Sequence, residues 1–300
     1  MPTPDAGSSP GLDADSDAAG AARGTPGEQF LAAIEAGGER EDITVAVDAH
    51  LPGAFPLFAT RPRYPVRHLL NTMPVEDGES AAYVHEPSVQ RREESGTSYA
   101  ATPEATFLPE LQEAQLSDLT VSVSLPPTIL RRPALLTAFI DRRVLVRTTT
   151  MENQVLLHGS EDGKVPGLLE LDGMRHRRSN RDLDEAVTAV AFEVEETGGS
   201  CDGMVVHPAV YWEMVRQGLL GRLQVAGVVV SRTRMIARDT LLLGDFQAAA
   251  TLLLPGVNTL SLRRGAGASG EDVVEASTRL GLGVHLPQHL ISLTWGGSDD

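Results

Sequence analysis

The chain has 300 residues, enough for one large or two ordinary domains, and its 41% apolar content suits a globular protein although only 4% is aromatic. A formal net charge of −16, with Lys164 the only lysine among 25 basic residues, argues against a surface that wraps nucleic acid. Cys201 stands alone, so no internal disulfide forms and a reducing compartment is the simpler inference. The N-terminus has acid and glycine where a signal peptide needs a basic start, and no run of about 18 apolar residues occurs, so a cytoplasmic location with no membrane span is expected.

Residues 1–24 are largely Ala, Gly, Ser, Pro and Asp and read as a disordered acidic tail. Order is expected from Thr25. Thr25 and Glu28 have capping-box spacing, Pro26 suits the first helical position, and Gly37 with Gly38 stops the helix. Phe30, Leu31 and Ile34 form its apolar stripe, and so short a helix needs a partner surface. ITVAV (43–47) reads as a strand, followed by a Pro-rich passage to Pro65, and VRHLLNTMPV as one short helix. From Glu86 to Asp118 seven acids and two arginines, Arg91 and Arg92, mark an excursion, a long two-stranded arm with no core of its own.

PALLTAFIDRRVLVRTTTMENQVLLHG is the strongest local signal. Leu136, Ile140, Val144, Met151 and Val155 keep helical spacing, and about 25 residues at 1.5 Å each give a helix of roughly 37 Å. DLDEAVTAVAFEVEETGG is a second amphipathic helix with Leu183, Val187, Val190 and Val194 inward; GMVVHP is a buried strand and AVYWEMVRQ a third helix. Short strands follow: LQVAGVVVS, TLLLGDF, AATLLLP, NTLSLRR, VVEASTRLGLGVHL and HLISLTW. The mixed order points to α+β.

Candidate chemistry is thin. Gly159, Gly163 and Lys164 suggest a phosphate loop, but three residues separate the glycines, Glu161 and Asp162 would repel an anion, and Val165 replaces the required hydroxyl. Gly265, Gly267 and Gly270 spell G-x-G-x-x-G, yet only 30 residues follow and they read as strands, so a hairpin loop is the better reading. Pro287 between His285 and His289 denies them a shared helical face for a metal. Asp202 beside Cys201 makes that thiol a poor nucleophile. No catalytic, cofactor or metal residue is expected, and the chain does not read as an enzyme.

The order of parts resembles the major capsid protein of phage Hong Kong 97 and the encapsulins that share its fold. VRHLLNTMPVEDGESAAYV looks like the family's short helix running into its E-loop, TPEATF like the far limb, and ALLTAFIDRRV…ENQVLLHGSEDGKVPGLL like the spine helix and its glycine-rich ending. GMVVHPAVYWEMV resembles the A-domain strand and helix, and LLLGDFQAA and HLPQHLISLTW the final strands; the likeness spans roughly residues 40–296. It implies an α+β capsid-type fold divided into a tail (1–24), a helix and N-arm (25–60), a P-domain part (61–158, E-loop 86–118, spine helix 133–158), an A-domain (159–245) and late strands returning to the P-domain (246–300).

The function implied is a self-assembling icosahedral compartment around a cargo protein, built of pentamers with or without hexamers and holding no nucleic acid; the alternative is a phage capsid around DNA. Arg91, Arg92, Tyr99, Thr102 and Phe107 would make E-loop contacts between subunits. Gln217, Gly218, Leu219, Leu220, Gly221 and Arg222 would form the A-domain tip at a five-fold pore, Arg222 there favouring anions unless it pairs with an acid such as Glu213. Thr102 stands where the namesake phage places its cross-linking lysine, and the family's long scaffolding segment has no counterpart before the fold.

Overall fold

A computed structural model of the chain describes residues 24–38, 42–47, 66–76, 80–86, 109–256 and 258–296. Its strands are β1 (Ile43–Val47), β2 (Asn71–Pro74), β3 (Ala81–His85), β4 (Glu110–Ala114), β5 (Ser117–Ser124), β6 (Arg175–Ser179), β7 (Gly203–Val206), β8 (Val229–Arg232), β9 (Thr240–Gly244), β10 (Ala250–Leu254), β11 (Asn258–Arg263), β12 (Val273–Val284) and β13 (Leu290–Trp295). Its helices are α1 (Pro26–Gly37), α2 (Pro133–Phe139), α3 (Leu145–His158), α4 (Leu183–Glu196), α5 (Pro208–Arg216), α6 (Leu219–Val225) and α7 (Phe246–Ala249). A π-helical stretch, Ile140–Val144, fuses α2 and α3 into one spine.

The first sheet runs β1-β11-β12-β10-β2, with β5 also on β12. β12 is its hub. Val273–Thr278 pairs β11 on one flank, Val273–Leu280 pairs β5 on the other, and Gly281–Val284 goes on to pair β10. The spine lies across this sheet. Leu136, Ile140, Val144 and Leu145 join Val121, Leu260 and Val274 in one cluster, while Val155, Leu156 and Leu157 join Leu252, Leu280 and Leu282 in another. VRHLLNTMPV departs from expectation: Val66–Leu69 is a 3₁₀ turn and the chain then extends, because Asn71–Pro74 pairs β10 in parallel.

Both spine acids are buried and each holds a separate part of the chain. Glu152 bonds Arg67, whose Nε lies 2.9 Å from its Oε1, while Asn153 Oδ1 accepts from the Val66 amide at 2.6 Å. Asp141, in the π segment, accepts from the Gly27 amide at 2.8 Å, so α1 docks by its N-terminus on the spine. Burial raises the Asp141 carboxyl above its usual range, against the pull of bonds from Thr25 and Gly27. The capping box forms: Thr25 Oγ1 accepts from the Glu28 amide, and Glu28 accepts from the Thr25 amide. The stripe expected on this helix faces the chain's own spine, with Phe30 fully buried and Leu31 and Ile34 packed at its margin.

The second sheet runs β6-β13-β9-β7-β8. Its C-terminal strand corrects the expected division, since β13 pairs β9 and β6 here instead of returning to the first sheet. Arg175–Ser179, too charged to suggest a strand, forms β6 at the sheet's edge, where charge is tolerated. LQVAGVVVS likewise divides: Leu223–Val225 closes α6 and only Val229–Arg232 is strand.

The glycine loop after the spine is a structural joint. Asp162 accepts from Ser160 Oγ, the Lys164 amide and Ser117 Oγ, and Lys164 Nζ lies 3.2 Å from its other oxygen. These bonds, Ser160's foremost, hold the Asp162 carboxyl well below the usual range. Gly159 and Gly163 take φ of +87° and +71°. Gly167 is fixed by contact: a Cβ there would lie 2.5 Å from His158 C and 2.6 Å from Gly159 N. Gly167→Ala is expected to cost about 1–3 kcal/mol, as overpacking against backbone does. Gly163→Ala meets no clash and carries only the strain of an alanine at φ +71°, about 1–2 kcal/mol, which should leave it the milder of the two. Urea midpoints of the two variants check the order; equal stability would show that the joint gives way freely.

Candidate functional site

Two surfaces stand out from the folded body. The first is a ribbon of two strands, β3 and β4, paired from Ala81↔Ala114 to His85↔Glu110. Alternation gives it two faces. Tyr83 turns inward, donating to Gln112 at 2.8 Å and setting its ring edge-on to His285 at 5.6 Å. His85 Nδ1 reaches Val284 O and His285 Nδ1 reaches Val84 O, each at 2.8 Å, so paired imidazoles stitch the ribbon to the end of β12. The outward face carries an apolar pair next to its far end. Val84 and Leu111 are direct cross-strand partners, and Leu111 is 78% exposed. A two-stranded ribbon is marginal alone, and such an exposed apolar pair is what a neighbouring surface would cover.

Ser117–Ser124, where the arm is expected to end, pairs along β12. The excursion therefore leaves the body at β3 and returns at β4. Arg91, Arg92, Tyr99, Thr102 and Phe107 lie outside the described residues.

The second surface is the α5–α6 corner, where the residues expected at the tip, 217–222, are largely helical. Gly218 takes the left-handed conformation at φ +69°, and α6 starts at the next residue. Leu219 is buried in the chain's own core with Val210 and Met214, Leu220 packs at its margin, and Gln217, Gly218 and Gly221 are exposed. Arg222 bonds Asp184 on α4, while Glu213 is engaged by Arg216 and Gln217, so the Arg222–Glu213 pairing does not form. Nearby stand apolar groups that sequence reading missed. Trp212 is 61% exposed, with Arg232 over its ring and Tyr211's, and Val225 is 91% exposed. A mismatch with the helical inward stripe could have identified Trp212, since Val210 and Met214 occupy the buried positions of α5.

The residues considered for chemistry are engaged structurally. Gly265, Gly267 and Gly270 turn the β11–β12 hairpin, with the Gly267 amide bonded to Glu271 O at 2.8 Å, and no helix opens there. His285 uses Nδ1 on Val84 and Nε2 on Thr251. His289 is buried in the turn before β13, packed against Gly199. Among the described residues no group of three or more His, Cys, Asp or Glu is placed to hold a metal, and no helix is long and apolar enough to cross a membrane.

Asp202 accepts from the Phe246 and Gln247 amides at the start of α7. Burial, and then the charges of Asp202 and Glu195, push the Cys201 thiol up to about 12. Native protein at pH 8 holds about one thiolate in ten thousand at that value. Iodoacetamide should therefore leave Cys201 unmodified until the chain unfolds, as mass spectrometry of intact protein can follow. Rapid native alkylation would contradict its placement.

No protein-family profile and no curated protein matches the sequence. Solved structures do match the fold. The virus-like particle from Pyrococcus furiosus aligns with a TM-score of 0.50 at 12% identity, over 76% of this chain and 91% of that one. The capsid of a native GTA particle aligns at 0.56 and 14%, over 82% and 93%, and the capsid of Myoviridae phage XM1 at 0.51 and 15%, over 86% and 94%. At these identities the likeness is one of fold, and the alignments run nearly the full length of each capsid chain. With its spine helix, stalked ribbon and two sheets, the chain has the Hong Kong 97-type capsid fold that its sequence resembles.

Proposed function

We propose that this chain is the subunit of a closed protein shell and acts through assembly, not catalysis. The observation that carries this is the β3–β4 ribbon, which stands on the body with Val84 and Leu111 uncovered. Its strands would form the base of an E-loop, and in a symmetric shell a neighbour would cover that apolar pair. Arg91, Arg92, Tyr99, Thr102 and Phe107 would then make contacts between subunits. The α5–α6 corner would face a symmetry axis, with Gln217, Gly218 and Gly221 at the opening. Arg222 contributes less charge to that opening than an unpaired arginine, because Asp184 accompanies it.

Within this reading we favour an encapsulin-type compartment of pentamers, with or without hexamers, around a cargo protein. The match to the Pyrococcus virus-like particle and the strongly acidic chain support it. A phage-type capsid around nucleic acid is the second reading, favoured by the higher TM-score of the GTA capsid.

The purified chain is expected to form uniform closed particles visible by negative-stain microscopy. Deleting residues 90–107 should abolish them while the two sheets still fold. Particles of normal size from the deletion, or a monomer at all concentrations and salts, would contradict the shell reading. Absorbance at 260 and 280 nm, before and after nuclease, separates a protein-filled shell from one that retains nucleic acid. Because Thr102 stands in place of lysine, dissolved shells should run as single 32.0 kDa bands in denaturing gels, and a covalent ladder would show a linkage at some other site.

A further inference from the structure

The outward side of the spine carries positive charge and no negative charge. The only acids of residues 133–158, Asp141 and Glu152, are buried and bonded to Gly27 and Arg67. Arg142, Arg143 and Arg147 are exposed, as are Gln154 and His158 beyond them and Arg131 and Arg132 just ahead. Arg143 and Arg147, four residues apart, share a helical face, and Arg142 flanks it. Among the described residues none of these five arginines takes part in an ion pair. The nearest acid on α1, Glu28, is turned back onto the Thr25 amide.

The chain's own N-terminal segment enters at this place. The Gly27 amide donates to Asp141, the neighbour of Arg142, and a Cβ on Gly27 would lie 2.7 Å from Thr137 O. Residues 1–23 therefore join the folded body within about one helical turn of Arg142 and Arg143. They carry Asp5, Asp13, Asp15 and Asp17 against a single Arg23. Seven residues from Gly24 to Asp17 reach at most about 25 Å, and eleven to Asp13 about 40 Å. Arg142 to Arg147 spans about 7.5 Å along the axis, so several aspartates reach the stripe together.

We propose that the acidic N-terminal segment of each subunit docks on its own spine helix, with Asp13, Asp15 and Asp17 against Arg142, Arg143 and Arg147. The inference holds whether or not subunits close into a shell. The contact is a cluster of exposed charges, so it forms at low ionic strength and is screened at about 1 M salt, where the Debye length falls to about 3 Å. It also makes the stripe selective. Any other polyanion, nucleic acid or acidic peptide, must displace the segment before it can bind.

The test is pulsed electron paramagnetic resonance on the full chain, with nitroxides on Ser16→Cys and Gln154→Cys and an excess of unlabelled subunits. A dominant short-distance population is expected at low salt. It should be lost in 1 M NaCl, in the triple variant Arg142→Gln, Arg143→Gln, Arg147→Gln, and in the triple variant Asp13→Asn, Asp15→Asn, Asp17→Asn. The aspartate variant changes nothing in the described body, so loss of signal there cannot come from misfolding of the spine. A distance distribution indifferent to salt and to both variants would overturn the proposal. So would a short-distance population seen only when singly labelled chains are mixed, which would place the segment on a second copy. In parallel, a fluorescent oligodeoxythymidylate should bind the aspartate variant several-fold more tightly than wild type; equal binding would show that the segment does not cover the stripe.

Discussion

Burial of the spine helix is the constraint on which the rest of the subunit depends. Residues 133–158 cross both apolar clusters of the first sheet, so the helix cannot move without opening each of them. Its buried polar groups are committed as firmly as its apolar ones. Asp141 takes the N-terminus of α1, Glu152 takes Arg67, and Asn153 takes the Val66 amide. Thr148, Thr149 and Thr150 return their hydroxyls to carbonyls four residues earlier, which satisfies them within the helix. Breaking a buried pair such as Glu152–Arg67 by removing one partner typically costs about 3–5 kcal/mol, a large part of a domain's net stability. The spine is thus the frame on which the chain's separate segments meet.

What was legible in the sequence was whatever local physics decides. Thr25 and Glu28 announced their reciprocal cap, and the spacing of Leu136, Ile140 and Val144 announced the spine. Leu183, Val187, Val190 and Val194 all face inward as their period implied. What was hidden depends on partners distant in the chain. The π segment places Asp141 opposite Gly27, 114 residues away, and no local pattern contains that requirement. Asn71–Pro74 continued a helical pattern yet extends, because β10 offers it a ladder. Residues 217–222, read as a tip, contain two glycines. Only Gly218 needs the left-handed conformation, and Gly221 sits within α6. The final strand looked like its predecessors, and only the open flank between β6 and β9 explains its place.

The same division explains why this fold suits assembly. The two sheets and the spine form a body that buries most of its own apolar side chains in three clusters. The β3–β4 ribbon does not. It is stitched to β12 by the His85 and His285 imidazoles, yet it presents Val84 and Leu111 to solvent. Trp212 and Val225 present a second apolar surface at the α5–α6 corner. Lone exposed apolar residues are ordinary, but a direct cross-strand pair on a two-stranded ribbon is the surface that the proposed neighbour would cover.

Hydrogen exchange of the β3 and β4 amides reads that dependence most directly. The account predicts that residues 81–85 and 110–114 exchange slowly in assembled particles and orders of magnitude faster in subunits dissociated under mild conditions. The amides of β12 should stay protected in both states, which shows that the body remains folded. Equal protection of the ribbon in both states would mean that it is stable on its own, and would contradict the claim that this subunit is completed by its neighbours.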